Sequence, residues 1–131
     1  MTGLDTNVLV RYLTQDDLAQ ARKANSLIDA AVGKGETLHL DVVVLCELVW
    51  VLRGAYGFGK QTVTDAVGKI LDAAQFSVED RDLLREALDA YRAGQGDFAD
   101  HVLGLRNGKA GCSSTVTFDR ALKRNGSFTV L

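Results

Sequence analysis

The longest apolar run of the chain is Val42-Val43-Val44-Leu45-Cys46-Glu47-Leu48-Val49-Trp50-Val51-Leu52, and one charged residue, Glu47, stands inside it. A run this hydrophobic is expected in a core, where an ionised carboxylate is costly unless a cation or strong donors compensate it. No Lys or Arg lies within the run, and Arg53 only borders it. A partner is therefore expected from elsewhere in the fold, or from a bound metal.

Around this run the apolar spacing alternates between short β-like stretches and helical faces. A very short strand is predicted before Asp5, then a helix over Asn7 to Leu13. A second helix, capped by Asp17, runs through Ala21, Ala24, Leu27, Ile28 and Ala31 and ends at Gly33 and Gly35. Thr37 to Leu40 reads as a strand, and Asp41 caps the helix that carries Glu47 to about Arg53. Gly54, Gly57 and Gly59 mark a loop, followed by a helix over Gln61 to Leu71. Gln75 to Val78 reads as a weak strand. Asp80 opens a helix through Leu83, Leu84, Ala87, Leu88 and Tyr91, which Gly94 and Gly96 break. Phe98 to Leu105 reads as a helix, Cys112 to Thr117 as a buried strand, Arg120 to Arg124 as a short helix, and Ser127 to Val130 as a last strand. This alternation predicts an α/β fold: a three-layer α/β/α sandwich with a mainly parallel central sheet, built as one domain over residues 1–131.

In such sheets ligands gather beyond the carboxyl ends of the strands. Asp5 and Asp119 each follow a predicted strand. Asp97 and Asp100 are three apart and share a face if their helix starts early. Carboxylates converging from such distant segments suggest Mg²⁺ or Mn²⁺, hard ions that take oxygen ligands. Capping offers each Asp a structural alternative, and a salt bridge offers one to Glu47. His39 and His101 read as structural or exposed, and Trp50, Tyr56 and Phe58 as core or dimer contacts. Asp16-Asp17 and Glu79-Asp80 read as solvated helix starts. Gly54, Gly59 and Lys60 fit the spacing of a phosphate loop. However, Gln61 stands where that motif needs Ser or Thr, and a helix precedes it, so the segment reads as a helix–helix turn.

Composition narrows the class. The chain has 131 residues, 47% hydrophobic and 24% charged, as expected of a globular domain. No apolar stretch is long enough to span a bilayer, and the N-terminus lacks a basic leader, so residence in the cytoplasm is the expectation. Cys46 and Cys112 are expected as reduced, buried thiols, and no zinc spacing is present. A net charge of −2 opposes nucleic-acid binding. Without Asp5, Glu47, Asp97, Asp100 and Asp119, however, the remainder is net basic.

Leu4-Asp5-Thr6-Asn7-Val8-Leu9-Val10-Arg11-Tyr12-Leu13 resembles the opening motif of PIN-domain proteins. Glu47 in its apolar run, Asp97-Phe98-Ala99-Asp100 and Thr117-Phe118-Asp119 follow in the order of that family, across essentially the whole chain. Within it the similarity is strongest to the VapC toxins of bacterial type II toxin–antitoxin modules. The resemblance implies a PIN fold, a Mg²⁺- or Mn²⁺-dependent endoribonuclease acting on RNA, a homodimer, and inhibition by a cognate antitoxin. It maps the acidic site onto Asp5, Glu47, Asp100 and Asp119, with Asp97 at a position acidic in many members. Thr6, Asn7 and Thr117 match its supporting polar residues. Asp5 and Asp100 are expected to touch the metal directly, the others through water or a second ion. Arg11, Arg53, Lys60, Arg106, Lys109 and Arg120 are candidates to grip RNA. The apolar faces of Ala19–Val32 and Leu48–Val67 could receive an antitoxin helix. Two competing readings are a haloacid-dehalogenase-type phosphatase, which wants an Asp where Asn7 stands, and a non-catalytic PIN-like RNA-binding or assembly module.

Overall fold

Three short strands, each followed within two residues by an acidic residue and a helix or a turn into one, set up the first part of the chain. The computed structural model describes residues 1–131 and divides into two units, Met1–Asp80 and Arg81–Leu131. In the first, β1 (Thr2–Gly3), β2 (Leu38–Leu40) and β3 (Phe76–Val78) form a parallel sheet in that order, with Gly3 opposite His39 and His39 opposite Ser77. Parallel neighbours need crossovers, and each crossover here is a helix pair. The pairs are α1 (Thr6–Thr14) with α2 (Leu18–Gly33), and α3 (Val42–Gly54) with α4 (Lys60–Asp72). Leu38 and Leu40 point into a core shared with Leu9, Ile28, Leu45, Leu48, Val63 and Leu71, all at most 2% exposed. Each such leucine contributes about 1.5–3 kcal/mol by leaving water.

The second unit pairs two helices and one small ladder. Helices α5 (Arg81–Ala93) and α6 (Phe98–Lys109) pack on each other, and β4 (Thr115–Thr117) runs parallel to β5 (Phe128–Val130). A 3-10 turn, Arg120–Leu122, lies on the connection between these strands. Leu84, Ala87, Leu88 and Tyr91 come from α5, Phe98 and Val102 from α6, and Leu122 and Phe128 from beyond; all are buried. Tyr91 meets Phe98 edge-on at 6.1 Å. Gly104 leaves room for the Phe128 ring: a Cβ there would stand 2.8 Å from Cε2.

The predicted elements all occur, in the predicted order, and the class is α/β with parallel strands throughout. Two expectations are corrected. Helix α6 continues to Lys109, because Asn107 and Gly108 are tolerated near a helix end. The segment Cys112–Thr117, expected as a buried strand, is extended only over Thr115–Thr117, and Val116 is 60% exposed. The thiols differ from expectation accordingly: Cys112 is exposed and Cys46 half-buried, both free. No helix is long and apolar enough to cross a membrane.

Candidate active site

Asp5 sits where β1 gives way to α1, in extended backbone conformation, and its Oδ1 accepts the Thr6 amide at 2.8 Å. This satisfies one of the free donors of the helix N-terminus and places a carboxylate against the positive end of the helix. Its Oδ2 takes no hydrogen bond and the residue is exposed. Thr6, next to it, is only 4% exposed, and its Oγ1 has no hydrogen-bond partner. A buried hydroxyl left unpaired costs roughly 1–3 kcal/mol, a cost that a ligand or water beside Asp5 would relieve. Asn7, on the first turn of α1, is exposed.

Glu47 is not buried, contrary to the expectation from its apolar surroundings. Helix periodicity explains the difference: Val43, Glu47 and Trp50 form one solvent-facing stripe on α3, while Val44, Leu45, Leu48 and Leu52 turn inward. The carboxylate is therefore open to solvent. It makes no hydrogen bond or ion pair within the chain. Trp50, at 77% exposure, is likewise no core residue. The α3 terminus is capped twice: Asp41 Oδ1 accepts the Val43 amide at 2.7 Å, and Glu79 Oε1 accepts the Val42 amide at 3.1 Å. Glu79, expected as a solvated helix start, thus ties the end of β3 to α3.

Arg11, a candidate for gripping RNA, is already committed. Its guanidinium meets Asp16 at 3.1 Å, Tyr56 Oη at 2.8 Å and Gln20 Oε1 at 2.7 Å. Tyr56 Oη donates to Asp16 at 2.6 Å and Thr14 Oγ1 donates at 2.7 Å. With Tyr56 first and Thr14 next, and the Arg11 charge behind them, these hold the Asp16 carboxyl down from 3.8 to about 2. Arg53 is similarly spent on the Phe58 carbonyl at 3.1 Å, bracing the helix–helix turn.

In the second unit, Asp97 and Asp100 stand in a capping-box relation at the start of α6, with Asp100 Oδ2 accepting the Asp97 amide at 2.9 Å. Asp119 opens the 3-10 turn, its Oδ1 accepting the Ala121 amide at 2.9 Å. The Thr117 hydroxyl accepts the Asp119 amide at 3.0 Å and so orients that turn. A close approach joins the two acidic corners. Gly96, at φ +90°, abuts Leu122, and a Cβ there would fall 2.5 Å from Leu122 Cδ2 and 3.3 Å from Asp100 Oδ2. Only glycine adopts that φ without strain. His101, adjacent to Asp100, is buried and structural, its ring hydrogen-bonded to the Gln95 carbonyl at 2.9 Å and to Asn125 at 3.3 Å.

Within neither unit do three His, Cys, Asp or Glu side chains gather into a ready metal cage. A hard divalent cation does not require one, since Mg²⁺ keeps several waters and takes one or two carboxylates directly. Within each unit the free oxygens are of the kind such an ion takes: Asp5 Oδ2 and both Glu47 oxygens in the first, and Asp119 Oδ2 in the second, are outside the hydrogen bonds described. The unpaired Thr6 hydroxyl would supply a polar neighbour to water on an ion held by Asp5. The sequence motif pointed to Thr6 as a supporting residue. The Gln95–His101–Asn125 clamp had no sequence signal, because it joins side chains that pattern alone does not bring together.

Comparison with known proteins gives the family. The model of the PIN domain matches residues 4–127. A VapC ribonuclease of Aquifex aeolicus (strain VF5) is 31% identical over 130 residues, covering 99% of this chain and 96% of that protein. With both matches covering nearly its whole length, this chain belongs to the PIN-domain family.

Proposed function

We propose that this chain is a metal-dependent endoribonuclease that hydrolyses RNA phosphodiester bonds and serves as the toxin of a VapC-like toxin–antitoxin pair. Residues 1–131 act as one PIN domain in this reading, in the cytoplasm, as a homodimer restrained by a cognate antitoxin. Leu18, Leu27 and Val32 on α2 are exposed apolar side chains that such a partner would cover. The observation that carries the reading is the buried, unpartnered Thr6 hydroxyl beside Asp5, in a chain that keeps the family's acidic residues in their order.

Asp5 and Asp100 are assigned as direct ligands of Mg²⁺ or Mn²⁺. Glu47, Asp97 and Asp119 act through water or orient the attacking nucleophile. When bound, the metal supplies an activated water and offsets charge on the phosphorane-like transition state. The chain's own groups do the rest. The exposed Asn7 amide is available to a phosphate oxygen, and Thr117 holds Asp119 in place through the 3.0 Å amide contact.

Cleavage of RNA by wild type and Asp5→Asn, each with and without Mn²⁺, tests the proposal. Cleavage is expected only from wild type with the metal. Equal digestion by both proteins would place the activity in a contaminant and sink the assignment.

A further inference from the structure

The densest run of cations in the chain, Arg120, Lys123 and Arg124, belongs to the 3-10 turn and the residues just after it. With Gln95, Ala121 and Asn125 these three line a pocket of about 310 Å³ that lies wholly within the second unit. No acidic side chain lines it. None of the three cations has a hydrogen bond or ion pair to its side chain, and all are exposed. Three like charges around one concavity repel one another and attract a counter-anion.

The pocket is built, not a chance grouping of surface lysines. Two of its walls hang on one buried ring. His101 is 4% exposed, and its Nε2 stands 2.9 Å from the Gln95 carbonyl. A carbonyl only accepts, so Nε2 carries the proton and Nδ1 accepts from the Asn125 amide at 3.3 Å. The Asn125 Oδ1 in turn accepts the Ser127 amide at 2.9 Å. Leu122, 1% exposed, plugs the turn against Gly96. The cations therefore project from a fixed frame.

We infer that this pocket seats a backbone phosphate of the RNA strand. The inference rests on the ribonuclease reading and adds a substrate-gripping subsite to it. Two guanidinium groups suit the forked geometry of phosphate oxygens. Ala121 is the only wholly apolar residue of the lining, so the pocket has no apolar anchor point that would favour a peptide over a phosphate. Asp119 opens the same turn one residue before Arg120, so a phosphate held here brings the strand alongside an assigned acidic residue.

The test measures binding of a short labelled single-stranded RNA by fluorescence anisotropy in EDTA across a salt titration, for wild type and for Arg120→Ala/Lys123→Ala/Arg124→Ala. The same preparations are assayed for RNA cleavage with Mn²⁺. The triple variant is expected to bind about tenfold or more weakly, with the log–log salt slope reduced by about 0.7–1.4, one or two phosphates. Arg120→Lys/Arg124→Lys keeps the charge and most of the slope, which separates loss of cations from loss of fold. Wild-type cleavage combined with an unchanged slope in the triple variant overturns the pocket alone. Unchanged RNA binding with lost binding of a polyglutamate peptide reassigns it to an acidic partner and overturns it too. Failure of wild type to cleave or bind RNA removes the ribonuclease reading itself.

Discussion

Single side chains in this protein divide sharply into those that hold structure and those left free to act. Asp16 holds structure. Its carboxyl is pushed from 3.8 to about 2, first by the Tyr56 hydroxyl and then by Thr14, with Arg11 adding its charge. A carboxyl with a depressed folded-state pKa contributes stability that is fully present above its unfolded value and is lost as pH falls through the folded one. This contribution is therefore expected to fade between about pH 4 and about pH 2. Tyr56→Phe removes the largest cause, so the Asp16 carboxyl should titrate nearer 3.8 by NMR. The drop in urea midpoint on acidification should shrink with it. An unchanged Asp16 titration in that variant would contradict the hydrogen bond's role. Glu47 is the opposite case, exposed and unbonded. Glu47→Gln is expected to leave stability within about 0.5 kcal/mol. RNA cleavage should fall by about 10- to 100-fold, the range typical of residues that orient a metal site. A marked loss of stability would mean that the carboxylate has a structural partner.

At the scale of elements, the apolar periodicity carried most of the information. Helices α1, α2, α3 and α6 and the 3-10 turn were legible because Asp5, Asp17, Asp41, Asp97 and Asp119 stand at their starts, while α4 and α5 were legible from their apolar spacing and flanking glycines. The burial of Glu47 was misread because a nearly all-apolar run hides which face of α3 looks outward; only the neighbours that bury Leu45 and Leu48 decide it. The capping of α3 by Glu79 was equally hidden, since it depends on β3 lying beside β2. The glycine between α5 and α6 shows how such contacts constrain an element junction. At Gly96 both the backbone and the space demand glycine: φ is +90°, and an added Cβ would strike buried Leu122. Gly96→Ala is expected to destabilise by roughly 2 kcal/mol or more. Gly111, at φ +100° with nothing within 4 Å of an added Cβ, is the control. Gly111→Ala should show only the backbone cost, about 1–2 kcal/mol. Equal urea midpoints for the two variants would show that Leu122 yields without cost.

For the whole molecule, the acidic residues were legible as a set because their order along the chain matches the family, whereas their environment was not. Four of the candidate carboxylates stand at helix starts and one lies on an exposed helix face. Their grouping around a cation is the claim that a thermal melt can reach. A ligand that binds only the folded chain stabilises it by RT ln(1 + [L]/Kd), about 1.4 kcal/mol at ten times Kd. For a chain of this size that corresponds to a rise in Tm of about 3–6 °C. Mn²⁺ is expected to produce such a rise in the wild-type protein. Asp5→Asn makes the comparison clean. The asparagine Oδ1 can still accept the Thr6 amide, and asparagine is as good an N-cap as aspartate, so α1 keeps its terminus. What the substitution removes is the charge and the carboxylate oxygen offered to the ion. The variant should therefore melt near the metal-free wild type and show no response to Mn²⁺. A wild-type melt that stays flat on adding Mn²⁺ would count against the shared cation, and an equal rise in both proteins would place the ion away from Asp5.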